Sequence, residues 1–187
     1  MTRWRWAGVL VTSLCTTSLC TTSLCTACAG APAVLTLPEG TAGSCMSVAV
    51  GGPEPYWFGI PVTNATDRVV VLEQVQLAAS EGLELRDAVV IPPLQAEDGG
   101  TLGIGVVRDP ANTEPEVWAG RQQLTGFRLR PGQHVDVAVA LTRGPGVKTG
   151  DAQEQVISYH VDGERASQRE TSRYAITLTD DCHVQPG

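Results

Sequence analysis

The sequence predicts an all-β protein: a single antiparallel β-sandwich behind an N-terminal signal and a flexible linker. Three observations carry this. From Cys45 onward the chain is a series of short apolar runs broken by Gly and Pro turns, with no amphipathic helix among them. Several of those runs alternate apolar and polar residues, as a strand buried on one face must. The start of the chain differs in kind: it is uncharged from Trp6 to Cys28 and carries the segment Thr-Ser-Leu-Cys-Thr three times in tandem.

Arg3 and Arg5 before an apolar stretch, Trp6 to Leu14, have the order of a secretory signal. The five-residue repeat period matches neither helix nor strand, so the repeats serve only overall apolarity. Leu24-Cys25-Thr26-Ala27-Cys28 resembles a bacterial lipobox, with small residues at Thr26 and Ala27. Cys25 departs from the pattern, since Leu is usual there. The resemblance implies that residues 1–27 are removed and that Cys28 is acylated, anchoring the chain to the extracytoplasmic face of a cell membrane. Two alternatives stay open. Ala27-Cys28-Ala29 also suits ordinary signal peptidase, which would give a secreted protein, and the uncharged run is long enough to remain as an uncut anchor. The four cysteines from Cys15 to Cys28 fit no zinc spacing.

Of the 187 residues, about 160 then remain, enough for one domain with its own core. Net charge is −7, which argues against nucleic acid as a partner. Residues 28–43, rich in Ala, Pro, Gly and Thr, read as a tether, and 44–184 as the domain. Cys45 and Cys182 bracket that domain. In an oxidising compartment they are expected to pair as a disulfide, setting the first and last strands side by side. A reactive thiol or metal pair with His183 is the competing reading, and it lacks further ligands.

The strands follow in order. Met46–Val50 ends at Gly51-Gly52-Pro53. Tyr56–Asn64 carries Pro61, which points to an edge or a bulge, and Asn64-Ala65-Thr66-Asp67 is a turn. In Arg68–Leu77, Val70 and Leu72 share one face and Val75 and Leu77 the other, so the inward face switches at a bulge near Glu73. Leu83–Ile91 stops at Pro92-Pro93. Leu102–Val107 comes after Gly99-Gly100, and a long loop with Trp118 leads to Leu124–Leu129. Gln133–Thr142 alternates most cleanly: Val135, Val137, Val139 and Leu141 point one way, His134, Asp136 and Thr142 the other. Gln155–Val161 sends Ile157, Tyr159 and Val161 inward and ends at the Asp162-Gly163 turn. Arg173–Thr179 closes the domain with Tyr174, Ile176 and Leu178 inward.

Eight or nine such strands, the Asn64-Ala65-Thr66 turn and the Pro131-Gly132 turn ahead of the Val135–Leu141 run resemble the immunoglobulin-like and fibronectin-like domains of exported bacterial proteins. The resemblance implies a fold and no activity.

Catalytic signatures are few. No Gly-x-Ser-x-Gly elbow occurs, and the glycine-rich Gly100–Gly105 stretch lacks the Lys-Ser/Thr ending of a phosphate loop. His134, His160 and His183 are the candidates for a metal or small-ligand site, without the surrounding donors such a site needs. Asp151, Asp180 and Asp181 lack a calcium-loop spacing. Neither a metal nor another cofactor is expected, and neither is catalysis. Among Tyr56, Trp57 and Phe58, alternation forces part of the group outward. Tyr56, Phe58 and Trp118 are therefore the candidate binding surface, with the loops Asp109–Gln123 and Arg143–Glu154 as contact regions. The expected role is a non-catalytic binding or assembly module for another envelope protein. Extracytoplasmic metal or ligand binding is the alternative.

Overall fold

The computed structural model describes residues 33–38, 43–49, 55–95, 101–102 and 104–182. The expected signal, Cys28 and His183 lie outside these residues. Among the described residues there are fourteen strands and two short helices: β1 Leu35–Thr36, β2 Gly43–Ser47, β3 Tyr56–Asn64, β4 Val70–Glu81, β5 Leu83–Ile91, β6 Leu94–Gln95, β7 Thr101–Leu102, β8 Val106–Val107, α1 Pro110–Thr113, α2 Pro115–Ala119, β9 Gln122–Gln123, β10 Arg128–Leu129, β11 His134–Arg143, β12 Gly150–Val161, β13 Gln168–Ser172 and β14 Ala175–Thr179. The architecture is the expected all-β sandwich. A first sheet has the order β1-β3-β11-β5-β9, with β8 also on β3. A second has the order β10-β4-β12-β14-β2, with β13 also on β12. A two-stranded ribbon, β6-β7, stands apart from both.

The alternating runs build the core between the sheets. Phe58, Ile60 and Val62 of β3 and Val135, Val137, Val139 and Leu141 of β11 face Leu72 and Val75 of β4, Ile157 and Tyr159 of β12, and Ile176 and Leu178 of β14. Each fully buried side chain of this size contributes about 1.5–3 kcal/mol relative to exposure. The expected bulge is there: the β4–β12 ladder pairs Leu72 with Tyr159 and Gln74 with Ser158, and skips Glu73. That extra residue returns the inward phase to Val75. Asn64, buried at the end of β3, ties the turn together. Its Nδ2 donates to the carbonyls of Arg68 and Leu129, and its Oδ1 accepts from the N–H and hydroxyl of Thr66.

Gly82 lets the chain step from β4 in one sheet to β5 in the other. Its φ is +69°, and a Cβ there would lie 2.7 Å from a Val147 methyl. Beyond this step the two sheets share an open side. The outer edge of β4 is paired by β10 only at Val70 and Val71, and that of β5 by β9 only at Val89 and Val90. The edges are irregular. Besides Glu73, the β5–β11 ladder skips Arg86, and Ala79 in β4 has φ 46°. Glu81, Glu84, Arg86 and Asp87 are exposed there, and the Asp87 carboxylate accepts from the Ala88 N–H at 2.8 Å.

The disulfide is present between Cys45 and Cys182, with Cα atoms 5.9 Å apart. As expected, β2 lies beside β14, but the pair is parallel, whereas the other pairs among the described residues are antiparallel. Cys182 lies past the end of β14, and its N–H donates to Ser47 Oγ.

Several expectations change: the first strand is β2 at Gly43–Ser47 and not Met46–Val50, and the expected Arg143–Glu154 loop ends where β12 begins at Gly150. The tether does not extend to residue 43: Leu35 and Leu37 are 2% and 9% exposed and belong to the core, with β1 paired to β3. Leu102–Val107 is not one strand, because Gly105 at φ +64° separates β7 from β8. Leu124–Leu129 is strand only at its end, as β10, with β9 lying just ahead of it at Gln122–Gln123. β9 adds to the first sheet and β10 to the second, and the chain crosses between them with Gly126 donating to the Leu72 carbonyl at 2.8 Å. Finally β13, polar throughout and without an alternating signal, takes the stretch of the β12 edge that β14 leaves free.

Candidate functional site

The outer face of the first sheet is where buried polar chemistry, paired aromatics and loop structure meet. β11 presents His134, Asp136, Ala138, Ala140 and Thr142 on this face. Small residues at Ala138 and at Gly59 of β3 leave room for a covering segment, Ile104 to Gly120. Gly59 is required: a Cβ would sit 2.9 Å from the Ile104 nitrogen and 3.1 Å from Asp136 Oδ2. The Gly59 N–H donates to the Gly105 carbonyl at 3.1 Å, and β8 pairs Val106 and Val107 with Phe58 and Trp57. Since successive N–H groups alternate between edges, Pro61 places its missing N–H on this same side, between β8 and β1.

The cover packs Ile104, Val107, Val117 and Trp118 against Trp57, Val89, Ile91 and Ala138, a second small core outside the sandwich. The Trp57 and Trp118 rings meet edge to face, with centroids 4.6 Å apart and planes at 72°. Such a pair contributes about 0.5–1.5 kcal/mol beyond its buried area. The Arg121 guanidinium lies 5.2 Å from the Trp118 ring centre, and its Nη1 donates to the Trp118 carbonyl. The loop expected around Trp118 thus holds α1 and α2, each begun by a proline at its first turn and the first capped by the Asp109 side chain.

Beneath the cover Asp136 is 0% exposed. Its Oδ2 accepts from the Ile104 N–H at 2.8 Å, while Oδ1 has no hydrogen-bond partner among the described residues. Burial raises its pKa to about 6, against the smaller opposing pull of that N–H. The sequence placed Asp136 on a polar face open to water. The residues that shut water out come from the Ile104–Gly120 segment, which begins thirty-two positions earlier in the chain.

His134, two residues along the same face, is half-buried. Its Nδ1 is 2.6 Å from Thr63 Oγ1, and its Nε2 is buried without a hydrogen-bond partner among the described residues. Burial lowers its pKa, favouring the neutral ring. It borders a cavity of about 130 Å³ with Ile91, Pro92, Pro93 and Phe127. His160 is on the second sheet. Its Nδ1 is 2.7 Å from Glu73 Oε1, and Ser167 donates to Glu73 Oε2 at 2.6 Å. The Ser167 bond, and after it the His160 bond, holds the Glu73 carboxyl below its usual range. The serine here bonds to the carboxylate, so the imidazole is not placed as its base, unlike the order of a hydrolytic triad. Among the described residues no three His, Cys, Asp or Glu side chains come together as a metal cage.

A cleft of about 330 Å³ opens on the free-edge side, between Glu73–Val75, Leu85–Ala88 and Gln123–Thr125. Its charged groups are already engaged: Glu73 as above, Arg86 with Glu84 and Thr142, and Asp87 with the Ala88 N–H.

Of the residues expected to form a binding surface, Tyr56 and Phe58 are 7% and 1% exposed and face the sandwich core. They are therefore not part of a surface. Alternation left two phases open, and the core took Tyr56 and Phe58 because Val62 and Ile60 continue that face. The outward aromatic is Trp57, and it is Trp57 that meets Trp118. Asp136 and Gly59 were missed. A lone acid within the Val135–Val139 run was the available signal.

No family model and no curated protein matches the chain. Solved structures similar to it include the Vibrio cholerae VesB protease (13% identity, TM-score 0.37), with 78% of this chain matched to 32% of that one. The CfaE adhesin of enterotoxigenic Escherichia coli aligns at 7% identity and TM-score 0.33, over 80% of this chain and 49% of the adhesin. The CooA pilin subunit of enterotoxigenic Escherichia coli aligns at 13% identity and TM-score 0.30, over 80% of this chain and 100% of the pilin. The chain thus spans about a third and a half of the first two. Similarity this low carries no argument about activity or partner.

Proposed function

We propose that this chain is a lipid-anchored, extracytoplasmic module that binds or assembles with another envelope protein and performs no catalysis. The contact surface in this reading is the Ile104–Gly120 cover, centred on Trp118. The observation that carries it is the half-buried Trp57–Trp118 pair, held on a loop segment and rimmed by exposed Arg108, Asp109, Asn112, Glu116 and Arg121. Rigid aromatics beside charged groups, on a segment fixed to a firm scaffold, are the usual makings of a protein contact. The Cys45–Cys182 disulfide supports an oxidising compartment, and the lipobox-like stretch ending at Cys28 supports the anchor.

Two experiments test the reading. A photo-crosslinking residue at position 116, in intact cells, is expected to capture a discrete envelope protein, and capture is expected to fail when Trp118→Ala is added. Capture that ignores Trp118 overturns the surface. Mass spectrometry of the membrane-extracted protein is expected to give an acylated N-terminus at Cys28. A mature start at Gly30 without acyl chains overturns the anchor.

A further inference from the structure

Among the described residues Asp136 is the only fully buried carboxyl group. One of its oxygens is unpartnered, and the other is held by a backbone N–H that belongs to the cover and not to the sheet. The cover has little strength of its own. Its helices span four and five residues, far below the length at which helices persist alone, so its order comes from docking. Its ladder to β3 is two residues long.

We propose that Asp136 is a pH-sensitive latch: protonated, it keeps the Ile104–Gly120 cover closed over the outer face of the first sheet, and ionised, it drives the cover open. A neutral carboxyl is tolerated under apolar side chains. A carboxylate with one N–H and an orphan oxygen regains its missing bonds only when water reaches it. Among the described residues no cation faces it to compensate. Its neighbour across β3 is Pro61, with Gly59 also against its Oδ2, and across β5 it is Ile91. The cover brings Ile104. The titratable group on its own face is His134, two residues away and bonded through Nδ1 to Thr63. The carboxyl's shift has burial and the Ile104 N–H as its causes, with no charged group among them.

A carboxyl at about 6 when closed and near 3.8 when open makes opening on the order of twentyfold more frequent at pH 7.5 than at pH 4.5. The latch deepens the functional reading above and rests on the cover being the contact surface.

Hydrogen exchange on the full chain, corrected for intrinsic chemistry, tests it. Peptides spanning 104–120 are expected to lose protection about twentyfold between these pH values, and to remain far less protected at both than β12 peptides, which exchange only when the whole domain unfolds. In Asp136→Asn the pH dependence of the cover is expected to vanish. Level exchange in the wild type, or an unchanged pH response in the variant, overturns the latch. Should the variant not fold, the Asp136 carboxyl carbon resonance of the wild type decides: a midpoint tracking the opening supports the latch, and one below 4.5 overturns it. A failed crosslink at position 116 with pH-dependent exchange intact removes the partner and supports the latch. Level exchange with the crosslink intact removes the latch alone.

Discussion

Replacing both Cys45 and Cys182 by Ser, or reducing the native protein, opens a loop closed across a sequence separation of 137 residues. In the chain-entropy treatment a closure of that length restricts the unfolded chain by about 17 cal/mol/K, or about 5 kcal/mol at 25 °C. For a domain of this size each kcal/mol moves the melting temperature by about 2–4 °C, so the expected fall is about 10–20 °C. The location could reduce the effect. β2 is an edge strand held by a five-residue parallel ladder to β14, and Cys182 follows the last strand. If this corner opens before the rest, the bond restrains only frayed ends. Urea unfolding of oxidised and double-Ser protein, followed by far-ultraviolet circular dichroism, separates the cases. A loss near 4–5 kcal/mol with two-state curves is expected. A loss below about 1 kcal/mol would mean that the first and last strands do not belong to the cooperative unit.

Leu35→Ala is expected to destabilise by about 2–4 kcal/mol in the same assay, since Leu35 is core and not tether; an effect under about 0.5 kcal/mol would return it to the tether. Ala79→Gly is expected to stabilise by about 0.5–1 kcal/mol, because φ 46° strains an L-residue by more than glycine's extra unfolded freedom takes back. Trp118→Ala is expected to lower stability by no more than about 2 kcal/mol while abolishing the position-116 crosslink. Asp136 has a folded pKa raised from 3.8 to about 6, so its contribution is full below pH 4 and lost as pH rises through 6. Wild type is expected to lose about 2 kcal/mol between pH 4.5 and 7.5 that Asp136→Asn does not lose, as read from urea midpoints. His134 acts in the opposite direction: burial depresses its pKa, so its contribution is present above pH 6.5 and lost as pH falls, in both proteins.

The strands that could be read from sequence are those whose code is local. Tyr56–Asn64 and Leu83–Ile91 match end to end, since alternation marks their interiors and a glycine-proline turn or a proline pair marks their limits. The Glu73 bulge was legible because two valine-leucine pairs conflict in phase. β13 was not, because its place depends on an edge of β12 left free by other strands. β1 escaped for a similar reason: Leu35 and Leu37 are two apolar positions in a linker-like composition, and only the vacant stretch of the β3 edge gives them a role. At the candidate site Trp118 and its loop were legible as residues, and their seat was not. Whether Tyr56 or Trp57 faces outward is one bit that alternation does not supply. The burial of Asp136 depends on a glycine seventy-seven positions earlier and a loop that begins thirty-two positions earlier.

The irregular side where β4 and β5 leave their outer edges unpaired has a consequence for how copies of this chain meet. A sheet edge grows when a twin offers a straight ladder of matching spacing. Here the ladder is broken at Glu73, Ala79 and Arg86, and one amide is already capped by Asp87. A twin approaching by this side brings Glu81, Glu84 and Asp87 against their own likenesses, with Arg86 already taken by Glu84. Repeated encounters do not make such meetings productive, so the side of the sandwich that is open to a strand is closed to a sibling.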